Sequence, residues 1–162
     1  AQGYLQQVND SHLHDLAKYL FGFSIFWTYL WFSQYLLYWY SNIPEEVTYF
    51  VTRLEHYEPI VLSMLAINFL LPLLILVDSD IKRKPWVVGT MAVVILIGHY
   101  LDFFNMIMPA TVGDQWCIGA GEIGSVLFFF GLFTFVTFHS LTKAPLVEKN
   151  HPLMHESEHF HY

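Results

Sequence analysis

Four long apolar runs alternate with short polar segments along the chain, at about 19–40, 60–77, 86–108 and 116–139. A bilayer-spanning helix needs ~20 mostly apolar residues at 1.5 Å rise each, and each run is near that length. The pattern predicts an all-α membrane protein built as a four-helix transmembrane bundle. Residues 1–18 form a polar leading segment containing His12, His14 and Asp15, predicted to be solvated. Residues 140–162 read as a polar tail rich in Pro and His. Between the first two runs, Asn42, Pro44, Glu45 and Glu46 make a helix-start signal: a capping side chain, a first-turn proline, and acids at the positive dipole end. Val47, Phe50, Val51 and Leu54 follow at i, i+3, i+4 and i+7, which predicts a short amphipathic helix lying on the membrane surface. Arg53, Glu55, His56 and Glu58 fall on its polar face. With Glu45 and Glu46, that face offers a docking surface for a partner, or simply a solvated one.

The runs differ in character. The first carries no charge from Tyr19 through Pro44 and holds aromatics along its whole length, among them Trp27, Trp31, Tyr35, Tyr38 and Trp39. Trp and Tyr ordinarily gather at the membrane–water boundary, so this helix is expected to be wedged among other proteins or lipid headgroups. In the second run, Pro72 cannot donate to the carbonyl of Asn68, and a kink is predicted there. Asp78–Lys84 is a charged turn, and Pro109–Gln115 is predicted as a second turn.

Composition supports the membrane reading. The chain is 55% hydrophobic and 19% aromatic. Only 13% of its residues are charged, against about 25% in soluble domains. The formal net charge is −7, and no basic patch suggests nucleic acid. Cys117 is the only cysteine, so no disulfide within the chain and no cysteine-built cluster can form. The chain begins Ala1-Gln2-Gly3 and is expected to be part of a longer one. Four spans put both ends and the 78–85 turn on one side, with Lys18, Lys82, Arg83, Lys84, Lys143 and Lys149; the other side holds only Arg53. The positive-inside rule makes the first side cytoplasmic. Residues 41–59 and 109–115 then face outward, to the periplasm of a bacterial inner membrane.

Candidate chemistry sits in the third run, where His99 and Asp102 are three residues apart and share a helix face. An ionisable group in hydrocarbon costs ~2.5–3.5 kcal/mol on insertion scales, so both should face protein or water. They are either helix glue or stations on a proton path. Glu122, early in the fourth run, is predicted at a depth similar to Asp102, giving a line Glu122, Asp102, His99 from the outer face toward mid-membrane. A carboxylate beside a histidine can pass protons, because histidine titrates near neutrality.

Three familiar patterns carry no weight. Gly119–Gly124 satisfies G-x-G-x-x-G but follows no strand. His155–His159 satisfies H-E-x-x-H but lies in a tail with no third ligand or cleft. His99 and His139 lie at different depths, which rejects a bis-His haem within this chain. No catalytic set, resident cofactor or metal site is read from the residues.

The stretch Phe21–Phe50, FGFSIFWTYLWFSQYLLYWYSNIPEEVTYF, resembles the ActF-like membrane subunit of bacterial alternative complex III. That subunit belongs to the NrfD, or polysulfide-reductase membrane-subunit, superfamily. The aromatic run leading into Tyr40-Ser-Asn-Ile-Pro-Glu-Glu46 carries most of the resemblance, and the 78–85 turn and the His99/Asp102 run agree with it. The resemblance covers nearly all of the chain but only the later part of a family member, matching the second of two four-helix bundles. It implies a subunit of a respiratory quinol:electron-acceptor oxidoreductase with no redox centre of its own. The implied partners are a sister NrfD-like membrane subunit, an iron–sulfur subunit, multihaem cytochromes c and a terminal oxidase. Haem c and iron–sulfur clusters would reside in those partners, with menaquinol or another quinol nearby. On this reading the chain anchors periplasmic redox subunits and conducts protons through His99, Asp102 and Glu122. A purely structural scaffold and a quinone-binding subunit are the alternatives.

Overall fold

The structure, a computed structural model, describes residues 8–143, 145 and 152–159, and all regular secondary structure among them is helical. Residues 1–7 of the leading segment and much of the tail lie outside the described residues. The chain divides into two compact units, one spanning Val8–Gln115 and the other containing Trp116–Phe160.

In the first unit, Asn9 caps α1 (Asp10–Ser41). Its Oδ1 accepts from the backbone N–H of Ser11 and His12, both at 3.0 Å, while His12 Nδ1 accepts from the Asn9 N–H at 3.2 Å. This reciprocal cap satisfies donors that a helix start otherwise leaves open. The helix therefore begins well before the apolar run, and the expectation of a solvated leading segment fails at His14, which is buried. Burial comes first, and the nearby Lys18, Lys82 and Arg83 charges add to it, in holding the His14 imidazole below its ordinary titration range.

Asn42 serves a different purpose from the one predicted. It ends α1 in the left-handed conformation, φ 44°, with its N–H bonded to the Tyr38 carbonyl. Asparagine tolerates this conformation better than most residues. The following helix, α2 (Pro44–His56), has no side-chain cap and starts on Pro44 alone.

The second apolar run is continuous from Glu58 to Ile75 but changes pitch within it. α3 (Glu58–Leu65) passes into a π segment (Ala66–Leu70) and then α4 (Leu71–Ile75). The Leu71 N–H reaches back to the Ala66 carbonyl. The predicted break at Pro72 thus takes the form of a π-bulge one turn earlier, the usual remedy for a disturbed i→i−4 ladder. The bulge also keeps one face inward. Met64, Asn68, Pro72 and Leu76 are all buried at four-residue intervals. An unbroken α-helix would rotate such a series by about 40° at each step, and one extra residue absorbs most of that drift.

A 3₁₀ turn (Ile81–Arg83) leads to α5 (Pro85–Thr111). Lys82 lies 5.5 Å over the Phe21 ring, its stem covered while the chain stays at the helix end. α5 runs past the predicted end at 108 and takes Pro109 into its last turn, where only one intrahelical bond, to the Asn105 carbonyl, is forfeited. Its inner face is a regular seam: Val88, Met91, Ile95, Gly98, Asp102, Asn105 and Pro109, spaced alternately three and four residues apart, all buried except the half-buried Asp102. Across from it run Leu76, Asn68, Met64 and Tyr57. Leu76 packs with Met91 and Ile95, Asn68 meets Gly98, Met64 meets Asn105, and Tyr57 bonds Gly113. One number falls as the other rises, so the two helices are antiparallel.

The second unit consists of α6 (Ala120–Leu141), preceded by non-helical Trp116–Gly119, and the short α7 (Met154–Glu158). No residue of α6 is buried. A helix apolar on every side is suited to lipid rather than water.

Among the described residues, three helices are long and apolar enough to cross a membrane: Glu58–Ile75, Pro85–Thr111 and Ala120–Leu141. α1, at 32 residues, is longer than any of them, but its Tyr, Trp, Ser and Gln residues make it less hydropathic.

Candidate functional site: a polar layer between three helices

The first unit has an apolar core at one end and a polar layer beside it. Leu76, Val87, Met91 and Ile95 form the apolar cluster, with Leu20, Phe21, Ile75 and Ile81 against it. From Gly98 onward the α5 seam turns polar. Asp102 is four residues beyond Gly98 and Asn105 three beyond that, so the layer is about 10 Å deep along the helix.

α1 contributes the decisive contact. Trp27 Nε1 donates to Asp102 Oδ2 at 2.8 Å, and the Trp27 ring meets His99 edge-on, with centroids 6.2 Å apart. Trp27 therefore touches both sequence-predicted residues of this helix. Ser24 and Trp31 flank it on the same face of α1, three residues before and four after. None of these α1 residues was singled out as a partner from the sequence. The signal was present in Ser24, Trp27 and Trp31 at i, i+3 and i+7, but it was hidden among aromatics on every face.

The bulge supplies Asn68, which is 1% exposed. A Cβ added to Gly98 would lie 2.2 Å from Asn68 Oδ1, so only glycine admits the amide at that height. Asn105 is fully buried, and its Nδ2 lies 3.9 Å from Met64 Sδ. Asn68 and Asn105 share a sequence signature: each precedes a buried proline by four residues, Pro72 and Pro109. Each proline withholds an N–H from the backbone carbonyl of its asparagine.

Among the described residues, Ser24 Oγ, Trp31 Nε1, both amide atoms of Asn68, Asp102 Oδ1 and Asn105 Oδ1 are buried without a hydrogen-bond partner. An unsatisfied buried polar group costs about 1–3 kcal/mol, so such a concentration in one layer demands a reason. Chemically, the layer offers a carboxylate with one free oxygen, an imidazole, two amides and a hydroxyl, between otherwise apolar helices.

The other predicted residues lie elsewhere. Glu122 belongs to the second unit, where its Oε2 accepts from the Gly119 N–H at 2.8 Å and closes the first turn of α6. Glu45, Glu46, Glu55 and Glu58 are exposed on α2 and at the start of α3. Arg53 is not with them. It is 2% exposed, turned over the rings of Tyr49 and Phe50 at 5.6 and 5.1 Å from their centroids. The guanidinium is weakly hydrated and stacks on aromatic faces, which draws it inward where the periodicity had put it outside. Val51 and Leu54, on the apolar face of the predicted surface helix, are exposed, while Phe50 of the same face is buried. The tail motif forms the short α7, with the His155 and His159 rings stacked 4.5 Å apart.

No family model and no curated protein matches the chain.

At the far end of the first unit, Tyr57 is buried and donates its hydroxyl to the Gly113 carbonyl at 2.5 Å. Burial, with a smaller contribution from Asp114, raises the Tyr57 phenol above its ordinary value. The hydroxyl thus stays a donor. Tyr49 likewise donates to the Met106 carbonyl.

Proposed function

We propose that this chain is an integral membrane subunit of a respiratory quinol:electron-acceptor oxidoreductase, forming four transmembrane spans with both ends cytoplasmic. In this reading α1 is the fourth span. The exposed carboxylates of Glu45, Glu46, Glu55 and Glu58 face the periplasm, where they meet redox partners that carry the haem c and iron–sulfur centres. The resemblance of residues 21–50 to the alternative complex III membrane subunit supports the class of complex.

The observation that carries a proton-handling role is Asp102, half-buried between α5 and α1 with one oxygen held by Trp27 and the other without a partner among the described residues. A carboxylate so placed can accept and release a proton without losing its position, because Trp27 can donate to either form. His99, against the same indole, is the neighbouring proton carrier. Glu122, in the second unit, caps α6.

The test is Asp102→Asn in the intact complex, with proton translocation measured per electron. Translocation should fall while assembly and quinol oxidation persist. Unchanged stoichiometry in Asp102→Asn and in His99→Gln would remove the role. Loss of assembly in Asp102→Asn would make the layer structural glue instead.

A quinone-binding reading is favoured by one observation, a largely apolar cleft of about 160 Å³ between α1 and α2 lined by Tyr35, Tyr38, Trp39 and Phe50. Quinone lost from the purified complex on Trp39→Ala would support it, and retained quinone would exclude this cleft.

A further inference from the structure

Six buried atoms without partners on five residues are too many to be accidents of packing, and their arrangement is specific. Ser24 and Trp31 bracket Trp27 on α1. Asn68 comes from the bulge. Asp102 and Asn105 follow Gly98 on the α5 seam. Asn68 is fixed at the height of Gly98 by the absence of a side chain there, and Asn105 at the height of Met64. Oxygen acceptors dominate the set: Asn68 Oδ1, Asp102 Oδ1 and Asn105 Oδ1, with Ser24 Oγ able to act either way. The donors among them are Asn68 Nδ2, Trp31 Nε1 and the Ser24 hydroxyl. Interrupted helices in membranes persist where polar side chains or ordered waters re-satisfy the backbone groups a proline frees, and Asn68 and Asn105 each stand at such an interruption.

We propose that the polar layer binds ordered water, held by Ser24, Asn68, Asp102 and Asn105, and that the cluster of Leu76, Val87, Met91 and Ile95 bounds it as a dry plug. Water matches this set better than a purely donating or purely accepting ligand, since it donates twice to the oxygen-rich side and accepts from Trp31 and the Asn68 amide. Buried waters characteristically make about three such bonds. The inference does not depend on proton conduction.

Two buried methionines report on it. Met64 is 0% exposed and touches Asn105, in the polar layer; Met91 is 4% exposed, in the plug. Brief radiolysis of water generates hydroxyl radicals in place from bound molecules, which oxidise side chains beside them. In the full-length protein within its native membrane, Met64 should be oxidised several-fold faster than Met91. Asn68→Leu and Asn105→Leu, which keep a branched side chain of four heavy atoms but remove its hydrogen-bonding groups, should bring Met64 down to the Met91 rate. Equal rates at the two methionines in the unmodified protein would overturn the proposal without any substitution. So would Met64 oxidation that persists undiminished in the Asn68→Leu, Asn105→Leu double variant. Fast Met64 labelling in the unmodified protein together with unchanged proton stoichiometry in Asp102→Asn would keep the water site and remove the proton role, whereas equal methionine rates with lowered stoichiometry would do the opposite.

Discussion

At the residue scale, Asp102 is held by one neutral donor. Substituting Trp27→Phe removes the hydrogen bond while keeping an aromatic ring, and leaves the carboxylate with neither oxygen bonded among the described residues. Bonds to charged groups contribute about 1.5–3 kcal/mol, and a loss of that size is expected in unfolding titrated with denaturing detergent. Combining it with Asp102→Asn should cost less than the sum of the two, because both act on one contact. Gly98 is the second sensitive position. A methyl there meets Asn68 at a distance no pair of atoms accepts, and Asn68 is enclosed. Gly98→Ala should destabilise by about 1–3 kcal/mol through overpacking, and Asn68→Ala in the same chain should recover part of it. His14 sets a pH dependence. Its folded-state titration lies below the ordinary 6.5, so folded and unfolded states differ in proton uptake only as pH falls through 6.5 toward the lowered value. Stability is therefore fully present above that range and declines on acidification. Thermal unfolding at pH 7.5 and 5.5 should show the decline, and His14→Gln should flatten it.

At the element scale, the π segment and the glycine opposite it form one device. Without the extra residue, Asn68 and Pro72 would rotate away from the α5 seam, and without Gly98 the seam would be too full. α2 is held both by Phe50, buried against the Trp31, Tyr35 and Tyr38 rings of α1, and at its end. Tyr57, at the corner between α2 and α3, bonds the Gly113 carbonyl beyond α5, and Arg53 packs on rings of its own helix. Tyr57→Phe should cost about 1 kcal/mol, the usual net value of one such bond. Hydrogen exchange should also speed up at the last turn of α5 while α1 is unaffected. The exposed acids of α2 share none of these contacts, so charge reversal there should alter partner binding and leave the melting temperature where it was.

At the scale of the whole molecule, the chain is two units. The first closes its own core and polar layer within Val8–Gln115. The second presents an apolar helix with no buried residue. In a chain cut at a protease site inserted between Gln115 and Trp116, the bond from Trp27 to Asp102 should persist, read as an unchanged tryptophan fluorescence spectrum.

Three of the four apolar runs reappear as helices able to cross a bilayer, at Glu58–Ile75, Pro85–Thr111 and Ala120–Leu141. Hydropathy over ~20 residues is a local property, so the sequence by itself determined these elements. It also determined that His99 and Asp102 share a face, since three residues on one helix fix that. Periodicity could not place Arg53, because its attraction to aromatic rings outweighs the angle at which it leaves the helix. It could not choose between Asn42 as a cap for the helix after it and Asn42 as a stop for the helix before it, since one residue type serves both ends. The partners of Asp102 belong to tertiary structure alone. Trp27 is 75 positions away, and nothing local distinguishes it from the other aromatics of α1. Only the antiparallel register of α5 against the bulged helix, and the lie of α1 across both, brings an indole, two amides and a carboxylate into one layer.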